Sequence, residues 1–110
     1  MKTLQNFING KKVSATSDKV QDLINPATGE VFAKAPVSNA SDVDKAMKSA
    51  ANAFEVWKES TPGERQKAIN KIADAIEARS EELIGIESEN TGKPIAAVSY
   101  THLRAHETLR

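Results

Sequence analysis

Apolar residues recur at helical spacing from Thr61 to Asn90, so this stretch is predicted to form an amphipathic helix. One unbroken helix of thirty residues would be long, and a break is therefore predicted near Ala78–Glu81. Ser80 could cap a second, shorter helix after that break. The apolar face consists of Ile69, Ile72, Ala73, Ile76, Leu83 and Ile84.

Both ends of this helical stretch carry start and stop signals. Thr61 and Glu64 are spaced for a capping box, in which each side chain accepts a hydrogen bond from the other residue's backbone N–H. Pro62 occupies the first helical position, where a missing N–H costs nothing. Gly92 permits a left-handed backbone and Pro94 cannot continue a helix, so we expect the helix to stop there.

A second apolar stripe predicts an earlier helix from about Ala40 to Lys58. Asn39 is its expected cap, with Asp42 three residues further on. With the later stretch this helix would form a helical hairpin whose stripes face each other or a sheet. Trp57 is interpreted as a core anchor rather than a platform for a ligand. The stripe comprises Val43, Ala46, Met47, Ala50, Ala53, Phe54 and Trp57.

The residues before these helices favour short strands joined by turns. Asn9-Gly10 suits the two left-handed positions of a tight turn, so Phe7–Val13 is predicted to be a hairpin. Asn25–Glu30 is a strong turn sequence between the predicted strands Val20–Ile24 and Val31–Val37, and Pro36 is expected to end regular pairing. The expected fold class is an α/β fragment, with N-terminal β-hairpins followed by an α-helical hairpin.

Length and composition limit what the chain can be. At 110 residues it is at most one domain, and an aromatic content of 5% predicts a thin core. The 15 basic and 15 acidic residues leave no basic excess, which argues against a nucleic-acid or membrane partner. The absence of cysteine excludes a disulfide and a thiol nucleophile. No apolar run approaches the roughly 20 residues that span a bilayer, and a signal-peptide core is lacking, so we expect a cytoplasmic location.

The remaining polar residues give no convincing catalytic or metal site. His102 and His106 are spaced for one face of a helix, but a metal site needs further ligands, so two exposed histidines are the better interpretation. Glu87 and Glu89 near Lys93 are interpreted as a solvated helix end rather than an acid–base pair. No Gly-x-Gly-x-x-Gly or Walker pattern occurs, so no phosphate-binding turn is assigned.

Six short motifs follow one another along the chain in a specific order. They are Phe7-Ile8-Asn9-Gly10, Asn25-Pro26-Ala27-Thr28-Gly29-Glu30-Val31, Asp42-Val43-Asp44-Lys45-Ala46, Phe54-x-x-Trp57, Glu64-Arg65 and Glu87-x-x-Asn90-Thr91-Gly92-Lys93-Pro94. In order and spacing they closely resemble the start of an NAD(P)-dependent aldehyde dehydrogenase. The resemblance covers roughly Asn6 to Ile95. Because chains of that family are several times longer, the sequence resembles an N-terminal fragment.

The resemblance implies a fold and a chemistry for a parent enzyme. Residues 1–97 would belong to the periphery of a Rossmann-type cofactor-binding domain. In such enzymes a cysteine thiolate attacks a small aldehyde, hydride passes to the nicotinamide, and glutamate-activated water hydrolyses the thioester. The nucleophilic cysteine, the general-base glutamate and the glycine-rich cofactor turn have no counterpart here. We therefore expect this chain alone to hold no catalytic or NAD-binding residue and to be inactive, whereas the parent would be a homo-oligomer.

The resemblance also implies one binding site that this chain could partly retain. Several family members bind a monovalent cation through backbone carbonyls before the Asn-Pro turn and through an acidic residue before the Thr-Gly-Lys-Pro stop. The matching positions are Leu23, Ile24 and Asn90. Asparagine stands where aspartate is usual, and its amide oxygen lacks the charge that strengthens a hard-cation site. Asparagine here resembles the aminobutyraldehyde and betaine-aldehyde branch. The alternative is that Asn90 caps the helix C-terminus.

The final residues, 98–110, depart from the family pattern. They resemble translated vector or adapter sequence joined to a truncated reading frame, and a genuine splice or a divergent helix is the alternative. A different class of function also stays open for the whole chain. It could be a free-standing helical-hairpin interaction module that binds a partner through an exposed apolar stripe and has no catalysis.

Overall fold

The computed structural model describes residues 2–100, which form short strands followed by helices. The strands are β1 Lys2–Thr3, β2 Asn6–Ile8, β3 Lys11–Val13, β4 Val20–Ile24 and β5 Val31–Pro36, and the helices are α1 Ala40–Trp57, α2 Pro62–Ala78 and α3 Ser80–Thr91. The chain divides into two compact units. The first contains the chain up to Ile24 together with Glu30–Glu59, and the second contains Asn25–Gly29 together with the chain from Ser60 onward. The expected α/β class, with strands first and helices after, is confirmed.

The predicted hairpin around Asn9-Gly10 is confirmed. Strands β2 and β3 pair antiparallel, with Phe7 opposite Lys12. Asn9 has φ 54° and Gly10 has φ 75°, so both turn residues are left-handed, as a tight turn between twisted strands requires.

Strand β5 is the centre of a separate three-stranded sheet in the first unit. It pairs antiparallel with β4 as expected, and it also pairs in parallel with β1, which the sequence pattern did not predict. Ala33 lies opposite both Lys2 and Leu23 and is buried, because a central strand is covered by a neighbour on either side. Pro36 is the last residue of β5, as expected for a residue that has no N–H to donate.

Helix α1 begins as predicted, but its apolar stripe is not buried. Asn39 and Asp42 form a capping box at its N-terminus. Within the first unit, only the small β2–β3 hairpin and the loops beside it lie near α1. They offer too little apolar surface to cover the stripe. The prediction that Trp57 anchors a core is therefore wrong for these residues. The exposed fractions are Val43 58%, Met47 65%, Phe54 57% and Trp57 46%.

The predicted break in the later helical stretch is confirmed at Arg79, between α2 and α3. The capping box at the start of α2 is also confirmed, since the Thr61 N–H donates to Glu64 Oε2 at 2.9 Å and the Glu64 N–H donates to Thr61 Oγ1 at 3.2 Å. The prediction that Ser80 caps α3 is wrong. Arg79 stands at the cap position without a side-chain cap, and its guanidinium instead donates to both carboxylate oxygens of Glu82 at 2.9 and 2.8 Å.

The second unit has a small buried centre. Ala73 of α2 is fully buried, as its place on the predicted apolar face requires. Residues 95–100 are helical, and Val98 within them is also fully buried. The interpretation of residues 98–110 as a non-native or divergent tail stays a prediction, and all but its first three residues lie outside the described chain. None of the helices described between residues 2 and 100 is long and apolar enough to cross a membrane.

Candidate functional site

The C-terminus of α3 is closed by hydrogen bonds from its own side chains. Gly92 ends the helix with φ 75°, and its N–H donates to the Ser88 carbonyl at 2.9 Å. The Thr91 hydroxyl donates to the Glu87 carbonyl at 2.7 Å, and the Ser88 hydroxyl donates to the Lys93 carbonyl at 2.6 Å. The Gly92 bond satisfies one of the last four carbonyls of the helix, which otherwise lack intrahelical partners, and the Ser88 bond holds the chain after the stop against the helix.

Asn90 lies in the last turn of α3 with its side chain exposed. The alternative interpretation of Asn90 as the helix C-cap is wrong, because Gly92 holds that position in the left-handed conformation. Glycine adopts this conformation without the steric penalty that a Cβ brings. The Asn90 amide is therefore not used for capping.

The Asn25–Gly29 turn is a compact hydrogen-bonded loop in the second unit. The Asn25 carbonyl accepts from the N–H groups of Thr28 at 3.3 Å and Gly29 at 2.8 Å, and Asn25 Oδ1 accepts from the Ala27 N–H at 2.9 Å. The Pro26 ring lies directly against Gly92, where a Cβ would come within 3.0 Å of Pro26 Cγ. Thus the Asn-Pro turn and the Thr-Gly-Lys-Pro stop, two motifs separated along the chain, touch each other.

The other predicted cation ligands lie at the end of β4. Leu23 pairs with Ala33 and Ile24 pairs with Val31, with a register irregularity between the two. The residue that this irregularity leaves without a partner is Phe32 of β5, so the register does not single out the Leu23 and Ile24 carbonyls as ligands. Leu23 and Ile24 belong to the first unit and Asn90 to the second, so the site formed by the three stays a prediction.

The three predicted ligands, Leu23, Ile24 and Asn90, suit a monovalent cation. Two backbone carbonyls and one amide would offer neutral oxygens, which match a monovalent cation better than a divalent one that gains from carboxylate charge. Among residues 2–100 there is no group of three or more His, Asp or Glu side chains placed to hold a metal. His102 and His106 lie outside the described residues. Glu87 and Glu89 are exposed on α3, as expected for a solvated helix end.

The glycines lie in turns between strands, within helices or at a helix end. A dinucleotide-binding turn places glycines between a strand and the N-terminus of the helix that follows it. Here Gly10 and Gly29 lie in turns between strands, Gly63 and Gly85 lie within helices, and Gly92 follows a helix. All five glycines of the chain are thereby accounted for, and none lies in a turn of this kind.

One polar cluster contains a contact between distant residues that no sequence signal predicts. Asp42 lies three residues after the expected cap, Asn39, and its carboxylate also accepts a hydrogen bond from the Thr16 N–H at 3.0 Å, across 26 residues. The Asp42 side chain is buried, with 4% of the residue exposed. Hydrogen bonds from the backbone N–H groups of Asn39 and then Thr16 lower the pKa of this carboxyl below its ordinary value. No spacing rule links Thr16 to Asp42, because the contact depends on how the intervening strands pair.

Comparison with known proteins identifies a family, which the geometry of these residues alone does not. The model of the aldehyde dehydrogenase family matches residues 12–110. The 2-aminomuconic semialdehyde dehydrogenase of Danio rerio is 45% identical over 92 residues, which are 84% of this chain and 18% of that protein.

Solved structures agree with the sequence match. An NAD-dependent aldehyde dehydrogenase from Sinorhizobium meliloti is 36% identical, with a TM-score of 0.92 over 99% of this chain and 22% of that one. A point mutant of betaine aldehyde dehydrogenase from Staphylococcus aureus, in complex with NAD+, is 28% identical, with a TM-score of 0.90 over 96% of this chain and 22% of that one. The chain therefore spans about a fifth of the length of the proteins it matches.

Proposed function

The chain belongs to the aldehyde dehydrogenase family, and from this premise we propose that it is a segment of a longer enzyme that oxidises an aldehyde to a carboxylic acid with NAD. The observation that carries the proposal is the family match over residues 12–110, supported by the backbone agreement with an NAD-dependent relative. The cytoplasmic location and the homo-oligomeric assembly of the whole enzyme stay predictions.

In this proposal the segment is a peripheral scaffold and not part of the reaction centre. It has no cysteine to serve as the nucleophile, and its glycines do not form a cofactor turn. The exposed stripe of α1 supports the scaffold role. Val43, Met47 and Phe54 are each more than half exposed, and burying side chains of this size contributes about 1.5–3 kcal/mol apiece. Residues of the longer protein would cover them.

The first experiment compares the whole enzyme with the segment. We expect the product of the full-length reading frame to reduce NAD in the presence of an aldehyde, and the purified 110-residue chain to show no rate above the blank. Release of NADH is followed by absorbance, and carboxylate formation is confirmed by mass spectrometry. Aldehyde oxidation by the 110-residue chain would overturn the scaffold assignment, and an inactive full-length enzyme would overturn the proposed reaction.

We propose that the aldehyde substrate carries a second polar group, and two chemical classes have separate support. Asn90 before the Thr-Gly-Lys-Pro stop resembles the aminobutyraldehyde and betaine-aldehyde branch, which favours a cationic amino-aldehyde. The 45% identity to a 2-aminomuconic semialdehyde dehydrogenase favours an aldehyde that also carries a carboxylate. The ratio of kcat/KM values for 4-aminobutyraldehyde and a carboxylate semialdehyde decides between them, with hexanal as the unsubstituted control. Hexanal as the best substrate would contradict both.

For the whole enzyme we further propose a monovalent-cation site made by the Leu23 and Ile24 carbonyls and the Asn90 amide. The Asn90 side chain is exposed and does not cap the helix, which supports this role. Replacing Asn90 by Asp should strengthen stabilisation by K⁺ relative to a bulky organic cation, because a carboxylate adds charge to the donor set. The same change at Asn52, an exposed residue of α1, is the matched control. An equal thermal response to K⁺ in both variants would contradict the site.

A further inference from the structure

Asp42 and Asn39 bind two separate segments of the first unit at once. Within the helix start, the Asn39 N–H donates to Asp42 Oδ2 at 3.0 Å and the Asp42 N–H donates to Asn39 Oδ1 at 3.1 Å. Toward the loop, the Thr16 N–H donates to Asp42 Oδ1 at 3.0 Å and the Thr16 hydroxyl donates to Asn39 Oδ1 at 2.9 Å. Both side-chain acceptors of the capping box are therefore shared with Thr16.

The loop held in this way, residues 14–19 between β3 and β4, is not in a relaxed conformation. Asp18 has φ 55°, a left-handed conformation that residues with a Cβ adopt infrequently, although aspartate adopts it more often than most. Such backbone strain persists only where the surrounding structure imposes it. Ala15 in the same loop is buried, and the Val37 N–H donates to the Lys19 carbonyl at 2.9 Å. The loop therefore needs its tertiary bonds to keep its shape.

We propose that Asn39 and Asp42 form a clasp that holds the strained loop 14–19 at the N-terminus of α1, and that opening the clasp releases the loop while α1 stays helical. The helix keeps its backbone ladder when the cap is lost, because a cap satisfies only part of the first turn. The loop has no such ladder. Its bonds to the pair link the Thr16 end of the loop to the helix start, whereas Ser17 and Lys19 are bonded to Val37, so the Thr16 end is the first part to move.

The charge on Asp42 makes the clasp sensitive to acid. The charged neighbours along α1 are Asp44 and Lys45, and Lys45 favours the ionised carboxylate. The loop itself carries Asp18 and Lys19, while β2 beside the helix start has no titratable group. Because the folded pKa lies below the unfolded one, the stabilisation is present at neutral pH and is lost as pH falls through the folded pKa.

The test uses amide hydrogen exchange of the 110-residue chain, measured residue by residue by NMR. In the Asp42→Asn variant we expect exchange at the Thr16 amide to rise by roughly tenfold or more, because one acceptor oxygen is lost. Amides in the middle of α1 should change by less than about twofold, since helix interiors open in separate units. Thr16→Val, which removes the hydroxyl's interactions with Asn39 and Asp42 but keeps the backbone bond to Asp42, should give a smaller rise at the same amide.

The chain contains a matched control in the capping box of α2. Thr61 and Glu64 have the same mutual bonds, and these lie within that helix start. Glu64→Gln should leave the Thr16 amide unchanged. Parallel acceleration of the Thr16 and α1 amides in Asp42→Asn would overturn the clasp, and so would an unchanged Thr16 amide. If Asp42→Asn does not fold, the unmodified chain is titrated with acid, and release of Thr16 after α1 rather than before it would equally overturn the proposal.

Discussion

Replacing Gly92 by Ala should destabilise the contact between the stop of α3 and the Asn25–Gly29 turn. Two effects add at this position. Gly92 has φ 75°, and a Cβ in the left-handed region costs about 1–2 kcal/mol. The new Cβ would also lie 3.0 Å from Pro26 Cγ and 3.4 Å from Pro26 Cβ, which forces the ring or the helix end to shift. Overpacking of this kind costs about 1–3 kcal/mol.

Gly29→Ala separates the backbone effect from the steric one. Gly29 has the same φ of 75° in the same unit, but nothing lies within 4 Å of its added Cβ. It should therefore show only the backbone cost of about 1–2 kcal/mol. Pro26→Ala in the Gly92→Ala background should restore most of the difference, because it removes the Cγ atom that the new Cβ meets. Such a double-mutant cycle measures the coupling between the two positions.

The assay is amide hydrogen exchange in the last turn of α3, which reports local opening without requiring a two-state transition. An increase of 1.36 kcal/mol in the cost corresponds to tenfold faster exchange, so Gly92→Ala should exceed Gly29→Ala by roughly a factor of ten. Equal effects of the two substitutions, or no rescue by Pro26→Ala, would refute the argument that Gly92 is needed for the approach of Pro26.

The remaining predictions concern caps, cooperativity and acid. Thr61→Ala should lower the local stability of the first turn of α2 by about 1 kcal/mol in amide hydrogen exchange, whereas Ser80→Ala should change the first turn of α3 by no more than about 0.5 kcal/mol because Ser80 caps nothing. The isolated chain should melt broadly by calorimetry, since the α1 stripe is uncovered, and a sharp two-state melt would instead favour the self-sufficient interaction module. Stability should fall as pH drops from the ordinary carboxylate pKa through the lower folded pKa of Asp42, and this fall should be smaller in Asp42→Asn.

Local signals in the sequence were sufficient for most element boundaries. The capping boxes, the Asn9-Gly10 turn and the Gly92 stop each depend on residues within about four positions of one another, so their spacing can be read directly. Ser80 is the exception. Ser80 has a side chain that can cap a helix, but Arg79 occupies the cap position and its side chain donates to Glu82.

The tertiary structure decided the contacts between segments that are distant along the chain. Pairing of β1 with β5, the Thr16–Asp42 bond and the approach of Pro26 to Gly92 join residues whose separation carries no periodic signal. The apolar stripe on α1 shows the same division between local and distant determinants. Its spacing along the chain determines that a helix forms with one apolar face, because the period is a property of the helix itself. Whether that face is covered depends on which surfaces the rest of the protein brings to it, and in residues 2–100 it stays open to solvent.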